Sequence, residues 1–249
     1  MIILAFGCHP DDVEYMAAGT LALLAEKGHE IHIATMAGGE VGSPTLKAQE
    51  IREKRLQEAA NSAKIINAKF HFAGGYDLQI EYNREYRQKS VKIIREVYPD
   101  IVLTAPPSDY LVDHEITSLL VRNAAYIAPV PLFDCGEPTN PIEKIPYLYY
   151  WAPVGLRDIF GRKPYFHFGV DISDVIEIKE RMLLCHKTQD EWIQYLNNIS
   201  IADDMKEQSK KMGTLINHNY GECFTQHLGM GHPQDNILKK LLGSLVVEL

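Results

Sequence analysis

The chain has 249 residues, 46% hydrophobic and 23% charged, with 33 acidic against 25 basic side chains and a formal net charge of -8. This composition supplies an ordinary core and excludes a disordered chain, while the acidic balance speaks against a nucleic-acid partner, whose surface would gather Lys and Arg. Cys8, Cys135, Cys185 and Cys223 stand apart without a CxxC pair, which argues against a structural zinc knuckle or a dense disulfide frame.

No apolar run reaches membrane-spanning length and the N-terminus lacks a basic leader, so no membrane partner and a cytoplasmic location are expected. Ile2 to Gly7 is a short apolar run without alternation, the mark of a strand buried on both faces. Thr20 to Lys27 has helical spacing and ends at Gly28, a natural residue after a helix, and Glu30 to Met36 reads as the next strand. Leu46 to Ile66 predicts a long helix, Lys69 to Phe72 a strand, and Tyr86 to Val97 a helix that Pro99 ends. Ile101 to Ala105 then reads as a buried strand stopped by Pro106 and Pro107.

Beyond Ala128 prolines punctuate the chain, and strand-like segments lie near Tyr147 to Trp151 and Tyr165 to Val170. Val175 to Tyr195 predicts one helix and Ile237 to Leu242 a short one. The alternation implies an α/β fold: a Rossmann-like, doubly wound, mostly parallel sheet with extra strands and helices in the C-terminal half. We expect a single domain over 1–249, with 1–128 as the core and 129–249 as its loop-rich completion.

His9-Pro10-Asp11-Asp12 follows the first buried strand, and Asp109, Asp113 and His114 follow the strand at Ile101. In open α/β sheets ligands bind beyond the carboxyl ends of the strands, so the two segments meet if those strands are neighbours at the switch point. Two imidazoles and one carboxylate suit zinc and leave an open position for water, whose proton a free carboxylate alongside can accept. The competing reading is that Asp11 and Asp12, with Glu14, and likewise Asp113 with Glu115, only cap helices. Two such segments, each at a strand end, favour the metal site.

These residues resemble the LmbE-like, or PIG-L, de-N-acetylase family, whose opening motif is His-Pro-Asp-Asp with a nearby Glu, here His9 to Asp12 and Glu14. The resemblance continues through Gly19-Thr20, Thr35, Gly39-Glu40, Gly42-Ser43, Arg55, Glu58, Ala59, Ala63 and Asp113-His114, and more loosely at Cys185 to Gln189. It implies a Rossmann-like fold, Zn2+ on His9, Asp12 and His114, Asp11 as general base and Arg55 as a substrate contact. The implied reaction removes an N-acetyl group from a small molecule of the N-acetylglucosamine type; a homo-oligomer is also implied. Asp113 is a candidate for orienting a ligand imidazole. Glu40 and Arg55 read as contacts to sugar hydroxyls, Arg55 equally as a partner of Glu58 on an exposed face. The aromatic run Tyr147, Tyr149, Tyr150 and Trp151 reads as core.

The sequence departs from the family at Leu111, where a His that supports the oxyanion is usual, and at Asn67, where Gly is common. His218, His227 and His232 are candidates to replace that donor, each also readable as an ordinary surface or capping residue. The alternative function is a metal- and sugar-binding module of the same fold without turnover. A dinucleotide enzyme is disfavoured, since Gly7-Cys8-His9-Pro10 is no GxGxxG fingerprint.

Overall fold

Eight strands, β1 (Ile2–Gly7), β2 (Glu30–Ala37), β3 (Lys69–Gly75), β4 (Ile101–Thr104), β5 (Tyr147–Trp151), β6 (Phe168–Asp171), β7 (Gly221–Gln226) and β8 (Val246–Glu248), make one sheet in the computed structural model, which describes residues 1–249. Their order is β3-β2-β1-β4-β5-β7-β6-β8. The first five are parallel, and β7, β6 and β8 each pair antiparallel to their neighbour. The α/β sheet expected from the alternation is therefore present, with its C-terminal additions on one edge.

The parallel half is apolar because both of its faces are covered. Successive β1 residues point to opposite sides: Ile3 and Ala5 join one core, Leu4 and Phe6 the other. The first core is closed by α1 (Asp12–Glu26), α2 (Ala48–Ile65), α5 (Ile176–Leu183), α7 (Ile201–Leu215) and α8 (Ile237–Leu242); the second by α3 (Arg84–Val97) and α4 (Val112–Ile127). Gly28 follows α1 at φ +82, the left-handed conformation expected after a helix end.

Several boundaries differ from the expectations. Helix α1 starts at Asp12 rather than Thr20: apart from Asp12 and Glu14 its first two turns are apolar and buried between layers, without the solvent-facing side that marks a surface helix. The helix expected over Val175 to Tyr195 is two, α5 and α6 (Lys187–Asn197). The chain turns between them so that His186, wholly buried, faces Glu14, and Glu58 receives the Thr188 amide at 3.1 Å and its hydroxyl at 2.6 Å. Helix α7 and strands β7 and β8 had no counterpart in the sequence reading. Asn67, at φ +56 after α2, takes the left-handed conformation that the more usual Gly adopts without strain. No helix is long and apolar enough to cross a membrane.

Candidate metal centre and active-site cavity

The strand order reverses between β1 and β4, which pair directly. The segments after these two strands therefore share one crevice, where an open α/β sheet places its ligands. Asp12 organises the first of them: its Oδ2 accepts from the Cys8 amide at 2.8 Å and the His9 amide at 2.9 Å. Gly7 permits this turn, because a Cβ there would stand 3.0 Å from the Asp12 Cβ.

His9 Nδ1 and His114 Nε2 are 3.2 Å apart, Asp12 Oδ1 lies 3.4 Å from His114 Nε2, and Asp12 Oδ2 lies 3.8 Å from His9 Nδ1. Donors roughly 2.0–2.2 Å from a tetrahedral ion stand roughly 3.3–3.6 Å apart, so the triangle fits one cation. The outer edges of the rings settle which nitrogens face inward. His9 Nε2 meets Asp77 Oδ1 at 2.9 Å, and His114 Nδ1 meets Asp109 Oδ1 at 3.1 Å. With each outer nitrogen donating to a carboxylate, both inner nitrogens present lone pairs to each other and to Asp12, an arrangement that calls for a positive ion between them.

The surrounding charge points the same way. Burial opposes protonation of His9, yet Cys8, Asp113 and Asp77 around its ring outweigh it and raise its pKa well above the usual range. Burial likewise opposes protonation of His114, and Asp12 and Asp109 raise it. The field that draws a proton here draws a divalent cation equally.

Asp11 stands beside this triangle at φ +112, heading α1 without capping it. Capping is thus not its role in the fold. Burial and the adjacent Asp12 carboxylate raise its pKa to about 7, against the pull of His186, Arg55 and His9. Glu14 and His186, 3.2 Å apart and both buried, form the floor behind it.

The remaining expected residues separate. Arg55 is buried, lines the cavity and donates to the Gly42 carbonyl at 2.9 Å; Glu58 is occupied with Thr188 instead of with Arg55. Glu40 does not line the cavity: it accepts from the Asp77 amide at 3.2 Å and faces Arg52 at 3.4 Å, propping the loop that aims Asp77 at His9. Asp113 lies behind His9, 3.7 Å from Nε2, outside hydrogen-bond distance and away from the cavity, whereas Asp77 and Asp109 hold the two rings. Of the aromatic run, Trp151 lines the cavity, and Tyr149 and Tyr150 are core.

None of the three candidate C-terminal histidines reaches the cavity. His218 pairs with Asp171 at 2.9 Å, and His227 stacks edge-on against His232 while meeting the Tyr150 hydroxyl at 3.1 Å. Leu111 does line it, so the wall is apolar where the family usually carries a His. Next to it, Tyr110 lies edge-on to His114 with ring centres 5.4 Å apart. Asp77 and Tyr110 were not expected here, and His186 was expected only as part of the loose match at Cys185 to Gln189, without a role. A carboxylate just past the end of β3, the third neighbouring parallel strand, was the signal for Asp77.

A switch-point crevice, three converging donors and a free buried carboxylate define a metal-dependent hydrolase whose centre is of the zinc type. Residues 4–125 match the family model described as PIG-L, GlcNAc-PI de-N-acetylase, in agreement with the resemblance read from the sequence motifs. It is 27% identical over 237 residues to diacetylchitobiose deacetylase of Thermococcus kodakarensis, covering 88% of this chain and 80% of the relative. It is also 24% identical over 206 residues to 4-oxalmesaconate hydratase of Pseudomonas putida, covering 80% and 78%. The solved N,N'-diacetylchitobiose deacetylase of Pyrococcus horikoshii shares the fold with a TM-score of 0.75 at 24% identity, over 91% of this chain and 83% of that one.

Proposed function

We propose that the protein hydrolyses the N-acetyl amide of a small sugar or sugar conjugate, releasing acetate and an amine. The observation that carries this reading is the charge of the cavity: Asp11, Asp12, Asp77, Asp109 and Asp204 line it with Arg55 as the one guanidinium. Such a cavity suits a neutral amide and a product that gains positive charge, and it repels a polycarboxylate.

His9, Asp12 and His114 would hold a divalent ion, which would supply Lewis-acid charge and make an attacking water more acidic. Asp11 takes a proton from the attacking water and returns it to the departing amine. Asp77 and Asp109 keep the imidazoles in the ligating tautomer. Tyr110, a neutral donor beside His114, takes the place of the missing His and donates to the carbonyl oxygen as it gains charge. Arg55 lies close enough to influence Asp11 and holds the Gly42 turn at the cavity wall.

A hydratase reading rests on the Pseudomonas putida relative, and an inert binding module on Leu111. Acetate release from a panel of N-acetylated sugars, with and without a chelator, separates the three. Chelator-sensitive release supports the proposal; binding without release in the metal-loaded protein favours the module; hydration of an unsaturated acid without acetate release favours the hydratase.

A further inference from the structure

The cavity above the centre has a volume of about 520 Å³, within the span of roughly 300–1,000 Å³ that takes a drug-sized ligand. Its character changes outward from the metal donors. Trp192, Ile193 and Leu196 of α6 and Ile199 of the turn after it line the cavity, together with Leu78 and Tyr110. Four of these six remain largely open to solvent: Leu196 at 53%, Ile199 at 44%, Leu78 at 58% and Tyr110 at 66% exposed. The only buried residue of α6 is Thr188, and of this face only Ile193 packs, half-buried, against the core, so most of the apolar face is left unused by the fold.

Scattered exposed hydrophobics carry no message, but a group of them around one cavity marks a binding surface. Leu78 adds a second sign, since a branched side chain held at φ +56 is a strained conformation of the kind that gathers at functional sites. Polar partners are meanwhile scarce. Asp204 accepts the Tyr15 hydroxyl at 2.7 Å, Asp77 faces His9, and Arg55 gives one amino group to Gly42, while Gln189 and Asn197 are the neutral amides on the α6 side. Hydroxyls placed against this wall would lose water without finding partners.

We infer that the substrate carries an apolar substituent, a chain or ring attached to the sugar, which lies against the wall made by Trp192, Leu196 and Ile199. This rests on the proposed amide hydrolysis for the reacting end, and the wall is continuous with that site. Binding energy from such a remote group can be used to position the amide over the metal donors.

The chain has two tryptophans, Trp151 and Trp192, and both line the cavity, so tryptophan fluorescence, excited selectively over the 13 tyrosines, reports on it. The test compares the zinc-loaded protein on N-acetylglucosamine, octyl N-acetylglucosaminide and N-octanoylglucosamine. Binding of octyl glucosaminide, which has no amide, is followed by tryptophan fluorescence below its micelle concentration. Octyl N-acetylglucosaminide should exceed N-acetylglucosamine at least tenfold in kcat/KM, whereas a preference for N-octanoylglucosamine, with octanoate released in place of acetate, would overturn the placement of the apolar group on the sugar. Octyl glucosaminide should shift the fluorescence where glucosamine does not, and Leu196→Asp should reduce both preferences to within about twofold of unity.

If no amide is cleaved while the fluorescence response and its loss in Leu196→Asp persist, the apolar subsite stands and the amide-hydrolysis proposal falls. Equal kcat/KM for all three compounds with no fluorescence response overturns the inference. So does the same null response combined with dissociation of an oligomer by Leu196→Asp, because the wall is then covered by a second copy of the chain.

Discussion

Asp11 is held at φ +112, which costs on the order of 1–3 kcal/mol for a residue with a side chain, and its carboxylate caps no amide in return. Asp11→Asn should therefore lower kcat by about 10²–10⁴ at unchanged zinc content, as expected for loss of a general base; unchanged turnover would remove Asp11 from the reaction. Tyr110→Phe should lower kcat by about 10²-fold with KM little changed, read from initial rates on the best amide, because an oxyanion donor acts only as charge develops. At this scale His9, Asp11 and Asp12 stood out as candidates because they lie directly after an apolar strand, and His114 because it lies in the first turn of the helix that follows β4. The roles of Asp77, Asp109 and Asp113 were not. Which carboxylate meets which imidazole edge depends on ring orientation, so Asp113, adjacent to a ligand in sequence, gave way to Asp77, 68 positions from His9 and 2.9 Å from its ring.

Between elements, a buried ion pair joins the two halves of the chain. Lys179 of α5 and Glu222 of β7 are both wholly buried at 2.6 Å, and Glu222 also accepts from the Gly19 and Thr20 amides of α1. Glu222→Gln should destabilise the fold by about 3–5 kcal/mol, since Lys179 would be left buried without a counter-charge; equilibrium denaturation measures it. The same pair explains why β7 was missed. A charged residue at the second position of Gly221 to Gln226 interrupts the apolar run that marks an inner strand, and its partner lies 43 positions away. Helix α7 had legible spacing at Ile201, Met205 and Met212, whereas the break between α5 and α6 depends on contacts with Glu14 and Glu58 that local pattern does not contain.

At the β2–β3 edge, burial together with His32 and Lys69 lowers the pKa of His71 to about 4. A depressed folded-state pKa gives stability that is present above the unfolded value near 6.5 and is lost as pH falls toward 4. His71→Gln should therefore lose less stability than the parent between pH 6.5 and 4, as followed by denaturant midpoints. An equal loss in both proteins would show that His71 is not protonated differently on unfolding.

Across the whole molecule, the parallel half was legible because buried parallel strands are continuous apolar runs separated by helical periods, and the switch point follows from their order. The antiparallel edge was not, because β7 inserts between β5 and β6 out of chain order and no local pattern encodes that pairing. The same arrangement places β1 against β4 and so joins His9 to His114 across 105 positions. The most direct test is an anomalous-difference map of crystals grown with zinc, collected at the zinc edge. The account predicts one dominant peak per chain within about 2.0–2.2 Å of His9 Nδ1, His114 Nε2 and an Asp12 carboxylate oxygen. A zinc peak bound elsewhere, with those three side chains still facing one another and no density between them, would contradict it.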